Sequence, residues 1–227
     1  MSCLIPLKDL GAVGGVGAVT GPCGMKLQVV VQSVMDSGVC YLVYDPIQKK
    51  MFRPIKTGTS FWVVPELKID TMYLFIALQL PPITSLPHSR EDLHVQNWIE
   101  QPDKLNDYTI YNALYEIAKD SAELIFGNIM EGKYVLEGTD CPSVGIIRCI
   151  GVPIQLYAPF GKLRLQIGCS YDFPYKASTL DEIIPGRPAL IVLGLGRPFN
   201  GDGRFIPRRC YLLALRILMQ PQPVLYV

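Results

Sequence analysis

The sequence holds 227 residues, 49% of them apolar and only 18% charged, with a net charge of +1. That length accommodates one large domain or two small ones, and the charged share lies below the roughly 25% of ordinary soluble domains, so contact with another copy, a partner or a membrane surface is expected. No apolar run reaches the roughly 18 residues of a transmembrane helix, and Met1-Ser2-Cys3-Leu4 lacks the charged start and continuous apolar core of a signal peptide.

The near-neutral total hides a sorted distribution. Residues 1–90 carry 8 basic and 5 acidic side chains, residues 91–140 carry 3 and 11, and residues 141–227 carry 10 and 4. An acidic middle between basic flanks suits electrostatic docking, within the molecule or between copies. The seven cysteines are odd in number, widely spaced and without a C-x-x-C pair, which fits neither a disulfide framework nor a zinc site. They read as small buried apolar residues in a reducing, intracellular compartment, the cytoplasm or a virion.

In chain order, residues 1–25 form a glycine-rich arm around Gly11-Ala12-Val13-Gly14-Gly15-Val16-Gly17. It lacks the G-x-G-x-x-G spacing and the Gly-Lys-Ser/Thr of phosphate loops, so it reads as a docking arm. Residues 26–80 read as a meander of about five strands, from Lys26–Val34 to Thr71–Leu80, with turns at Ser37-Gly38 and Asp45-Pro46. A proline-rich connector, Pro81–Pro87, follows. Glu91–Gln101 is expected to be a short helix around Trp98. Tyr108, Tyr111, Tyr115, Ala118, Ala122, Ile125 and Ile129 keep 3-4-3-4 spacing, which predicts one long amphipathic helix over about 105–130, with Asn106 as N-cap and Gly132 as stop. Strands return at Ile146–Ala158, Lys162–Ser170, Ala189–Leu195 and Arg209–Met219. The apolar tail 220–227, broken by two prolines, is expected to lie on a surface of this molecule or its neighbour. The fold class is therefore α+β and β-rich: antiparallel sheets, sandwich- or barrel-like, with one long helix inserted at about 91–131. Residues 26–227 read as a single domain that divides into two lobes at 26–90 and 141–227. The echo between Gly24–Val29 and Gly161–Ile167 is no more than two amphipathic strands after a glycine turn share by chance.

Catalytic constellations are absent from the pattern. The two histidines, His88 and His94, sit near the connector, and no local signature joins either to Cys40, Cys141 or Cys169. No cofactor, metal or small-molecule substrate is predicted. The basic C-terminal region is the chief candidate surface. Arg187, Arg197, Arg204, Arg208, Arg209 and Arg216 fall within 30 residues, with Asp202 the lone acid and Phe199 and Phe205 interleaved. Arginine with aromatics suits nucleic acid or anionic lipid. Equally, these arginines suit the acidic helix face of Glu116, Asp120 and Glu123, in the same molecule or the next.

Three functional expectations follow. The first is a non-enzymatic structural protein that assembles with itself, of the viral matrix or coat type, an analogy at the level of fold alone. The second is a host- or partner-directed binding or regulatory module, a viral accessory or adaptor protein. The third is a cysteine hydrolase.

Overall fold

The computed structural model describes residues 23–35, 38–59, 62–78 and 86–222. The expected arm up to residue 22, the connector up to residue 85 and the tail from 223 on lie outside the described residues, and the arm's last three residues, 23–25, are the start of a strand.

Five strands build the first lobe: β1 (Cys23–Met35), β2 (Gly38–Asp45), β3 (Lys50–Lys56), β4 (Met72–Leu78) and β5 (Asp92–Glu100). They close into a barrel in the order β1-β2-β3-β5-β4. β1 closes it by pairing twice, Cys23–Gln28 with β4 and Gln28–Met35 with β2, with a bulge between Val29 and Val31. Such a bulge bends and twists a strand, which lets one strand serve both edges. β3 and β5 run parallel, Arg53 opposite Asp92 and Lys56 opposite Val95. This pairing corrects the helix expected at 91–101. The segment instead supplies the strand that closes the ladder, and Trp98 packs edge-on against Trp62, ring centres 4.7 Å apart. Val39, Tyr41 and Val43 of β2 face the barrel interior with Trp62, Phe75 and Val95. Leu42 and Tyr44 of the same strand point out, yet are buried too. Burial on both faces is why β2 reads as almost continuously apolar.

The second lobe repeats this order in looser form. Its strands are β6 (Tyr134–Leu136), β7 (Val144–Cys149), β8 (Ile154–Tyr157), β9 (Arg164–Ile167), β10 (Tyr171–Pro174), β11 (Ala189–Leu195) and β12 (Arg209–Met219). β7 pairs with β11 and β8 with β9, so these two short strands together do what β1 does alone. The expected single strand 146–158 is broken at Gly151, which holds φ +68°, and at Pro153, which has no N–H for a ladder. β9 pairs with β10, and β11 with β12. β10 then meets β12 in parallel sense through a bridge between Tyr175 and Ala214, as β3 meets β5. β6 adds to the start of β12. The sequence echo does not mark this repeat: Gly24–Val29 lies on β1, whereas Gly161–Ile167 runs into β9, the counterpart of β2.

The long helix is corrected to two short ones, α1 (Asp107–Ile117) and α2 (Glu123–Phe126). Asn106 caps α1, its side-chain oxygen accepting from Thr109 N at 2.8 Å. The helix ends at Ala118, which turns to an extended conformation. There Lys119 joins the sheet: its N–H donates to Ile146 O at 2.9 Å and its carbonyl accepts from Arg148 N at 2.8 Å. Strand-like pairing has displaced further helix, and the helical periodicity merely continues across the break.

Between the lobes lies a shared apolar cluster. Val30, Leu42, Tyr44 and Met51 of the first lobe meet Ile146, Leu190, Val192 and Leu215 of the second, with Ile110, Tyr111 and Leu114 of α1 wedged alongside. Polar ties flank it. Arg216 makes a two-pronged bond to Asp70 at 2.9 and 3.0 Å and a third bond to Val30 O. Glu91 accepts from both the N–H and the hydroxyl of Ser143, at 2.7 and 2.5 Å. Among the described residues no helix is long and apolar enough to cross a membrane.

Candidate functional site

Two features stand out, and they touch at Gly196 and Arg197. The first is a cleft of about 280 Å³ between the lobes. One side of it is the outward face of β2 and β3, with Cys40, Leu42, Arg53 and Ile55; the other includes Gly194–Arg197, Leu213 and Leu215. Gly194 allows the strands to approach here, since a Cβ at that position would lie 2.6 Å from Leu215 Cδ1.

Arg53 is the charged centre of the cleft and is only 6% exposed. Its Nε donates to Asp92 Oδ1 at 2.6 Å, and its Nη2 lies 2.5 Å from the same oxygen without the geometry of a hydrogen bond. Parallel pairing of β3 with β5 sets the two residues opposite each other, which is what holds this pair together. His88 comes from the β4–β5 connection. Its Nδ1 sits 2.9 Å from Leu195 O and 3.2 Å from Arg53 Nη1. A carbonyl only accepts, so Nδ1 carries the proton and donates to Leu195. Burial, and then the Arg53 charge, push the His88 pKa down to about 3 against the pull of that carbonyl. Cys40 shares the cleft, but burial pushes its thiol up and Arg53 only partly offsets this. Thiol and imidazole are thus both held neutral, unlike the activated thiolate–imidazolium of cysteine hydrolases. Burial likewise raises Cys141, Cys149 and Cys210 to about 11.

The second feature is an arginine–aromatic platform on the β11–β12 connection. The Arg209 guanidinium lies 3.7 Å from the centre of the Phe205 ring and 4.3 Å from that of Tyr134. Phe199 and Tyr211 complete the group, with neighbouring ring centres 5.4–6.4 Å apart. Phe199 is 49% exposed and Ile206 at the loop tip 91%. Arg204 is exposed and spends its Nε on Gly201 O at 2.8 Å. Arg208 is exposed and forms a fork with Glu137.

The six arginines therefore do not act as one patch. Arg197, Arg204, Arg208 and Arg209 cluster on this loop and the start of β12. Arg216 is the inter-lobe clamp, and Arg187 sits in the turn before β11, at the strand's other end. The acidic trio has other partners among the described residues: Glu116 pairs with Lys49 at 2.7 Å, Asp120 pairs with Arg148 at 2.9 Å, and Glu123 accepts from the Tyr171 hydroxyl. Those three do not share one helix face, since only Glu116 lies on α1. Arg53, Tyr134 and Tyr211 were not singled out by sequence, and His88 only as a partner for a cysteine, of which Cys40 shares its cleft. The available signal was a lone arginine inside the apolar strand Met51–Ile55. The chain matches no known protein-family model, and it matches no curated protein.

Proposed function

We propose that this is a non-catalytic protein that binds single-stranded nucleic acid, with the β11–β12 connection as its contact surface. The observation that carries the reading is the Arg209 platform with its partly exposed Phe199 ring and neighbouring Arg204. A ring offered beside cations is what binds unpaired bases and their phosphates without regard to sequence. The strand order supports it. A five-stranded barrel of order 1-2-3-5-4 is that of OB-type barrels, which take oligonucleotides across the second and third strands and on the 1–2 and 4–5 connections. The β11–β12 connection holds the 4–5 position. The β8–β9 connection holds the 1–2 position and bears the fully exposed Phe160 beside Lys162.

Fluorescence anisotropy with a labelled oligothymidylate tests this. Affinity should fall steeply with added salt, and Phe199→Ala should weaken it about 5- to 150-fold, from about 1–3 kcal/mol per stacked base. No binding at low salt, or undiminished binding by Phe199→Ala combined with Arg204→Glu, defeats the reading.

Self-assembly as a coat- or matrix-type subunit is the second reading. It is favoured by large apolar side chains left in solvent, Ile47 at 86%, Val63 at 71% and Leu180 at 71% exposure. Sedimentation velocity over a range of concentration and salt tests it: large species support it, and a monomer throughout sinks it.

A further inference from the structure

We propose that the cleft between the lobes binds a small aliphatic carboxylate, its chain against apolar side chains of both lobes and its head at Arg53 and Lys176. This does not depend on the nucleic-acid reading, which uses other residues.

The walls set the tail chemistry. Met35, Leu42 and Ile55 from one lobe and Val144, Leu213 and Leu215 from the other line the cleft. Trp62 is the one aromatic residue lining the space among the described residues, packed in T-shaped contact with Tyr41 and Trp98 and with its Nε1 donating to Pro54 O at 2.9 Å. The volume of about 280 Å³ lies just below the roughly 300–1,000 Å³ usual for ligand sites, too small for a two-chain lipid.

The charges set the head chemistry. No Asp or Glu lines the cleft among the described residues, whereas Arg53, Lys176 and Arg197 do. Asp92 balances Arg53, and Lys176 has no ion pair among the described residues. Nη2 of Arg53, in a residue 94% removed from solvent, lies 2.5 Å from Asp92 Oδ1 within the ion pair but makes no hydrogen bond. A buried donor without an acceptor is unfavourable, and a carboxylate oxygen would satisfy it. His88, neutral and bonded to Leu195, adds a polar wall without charge.

Calorimetric titration of the full chain with decanoate, decanol and decylamine tests the proposal. Decanoate should bind saturably one-to-one, decanol about ten-fold or more weakly, and decylamine not at all. Lys176→Gln should weaken decanoate several-fold and leave decanol unchanged, and Leu213→Trp, which fills the cleft, should remove both while the far-UV circular dichroism is kept. Equal binding of the three compounds, no saturable binding of decanoate, or indifference to Lys176→Gln overturns it. So does binding to anionic vesicles without binding of free decanoate. Oligonucleotide binding that persists in Leu213→Trp keeps the two proposals separate.

Discussion

The outward faces of the two lobes' first three strands make an instructive pair. On β1, β2 and β3 that face carries Val30, Leu42, Tyr44 and Met51 and is buried against the second lobe and α1. On β8, β9 and β10 the corresponding positions are Gln155, Tyr157, Arg164, Gln166 and Asp172, and the face meets solvent to varying degrees. The inward residues of both lobes are alike in kind, Val, Leu, Ile and aromatics. Strand order thus places a face at a given position in each lobe, and the outward half of the alternation decides whether that face becomes an interface. The contrast extends to charge. Arg53 and Asp92 form a pair whose side chains are 8% and 4% exposed, whereas Arg164 and Asp172 form one at 25% and 43%.

That contrast can be broken by matched substitutions. Asp92→Asn leaves a buried guanidinium without its counter-charge and should destabilise the protein by about 3–5 kcal/mol. Asp172→Asn removes a partly solvated partner and should lose no more than about 1 kcal/mol. Urea denaturation of the two variants measures both, and equal losses would mean that burial does not separate the lobes. The apolar half of the comparison is expected to run somewhat smaller. Leu190→Ala empties a site at 0% exposure within the inter-lobe cluster, for an expected loss of about 2–5 kcal/mol. Gln166→Ala on the solvent-facing side of β9 should stay within about 0.5 kcal/mol. A Leu190→Ala loss as small as that of Gln166→Ala would show that the lobes do not rely on their contact.

The same division explains what was legible in the sequence. β11 and β12 fall at Ala189–Leu195 and Arg209–Met219, where the sequence places them, because both run through apolar surroundings between strong turn residues. β5 was hidden, since Gln96 and Asn97 interrupt its apolar pattern and only pairing with β3 and β4 makes it a strand. The 3-4 stripe from Tyr108 to Ile129 was misleading in an informative way. Of its members Tyr108 is exposed, Tyr111, Tyr115 and Ala118 join the inter-lobe cluster, and Ala122, Ile125 and Ile129 pack in the second lobe's own core. Two contact sets happen to follow one period. The arginine–aromatic interleaving of Phe199, Arg204, Phe205 and Arg209 was visible because it is local. The grouping of Arg53, His88 and Lys176 was not, because only the docking of two lobes brings them to one cleft.

The smallest of the three losses under test concerns His88, a half-buried side chain of the first lobe. His88 has a pKa near 3 in the folded chain against an ordinary value of about 6.5. Between those values the unfolded chain holds a proton that the folded chain refuses. Stability is therefore full above the ordinary value and declines as pH falls below it, by at most about 1.4 kcal/mol per pH unit. The lowered carboxylates, Glu123 and Asp172, act only nearer pH 4, so the interval from pH 7 to 5 isolates His88 from them. Urea midpoints at those two pH values should show a loss of about 2 kcal/mol in the unaltered protein. In His88→Gln, whose amide still has an N–H to offer the Leu195 carbonyl, less than half of that loss should remain. An identical loss in both proteins would place the acid sensitivity elsewhere and remove the burial of His88 beside Arg53 as its source.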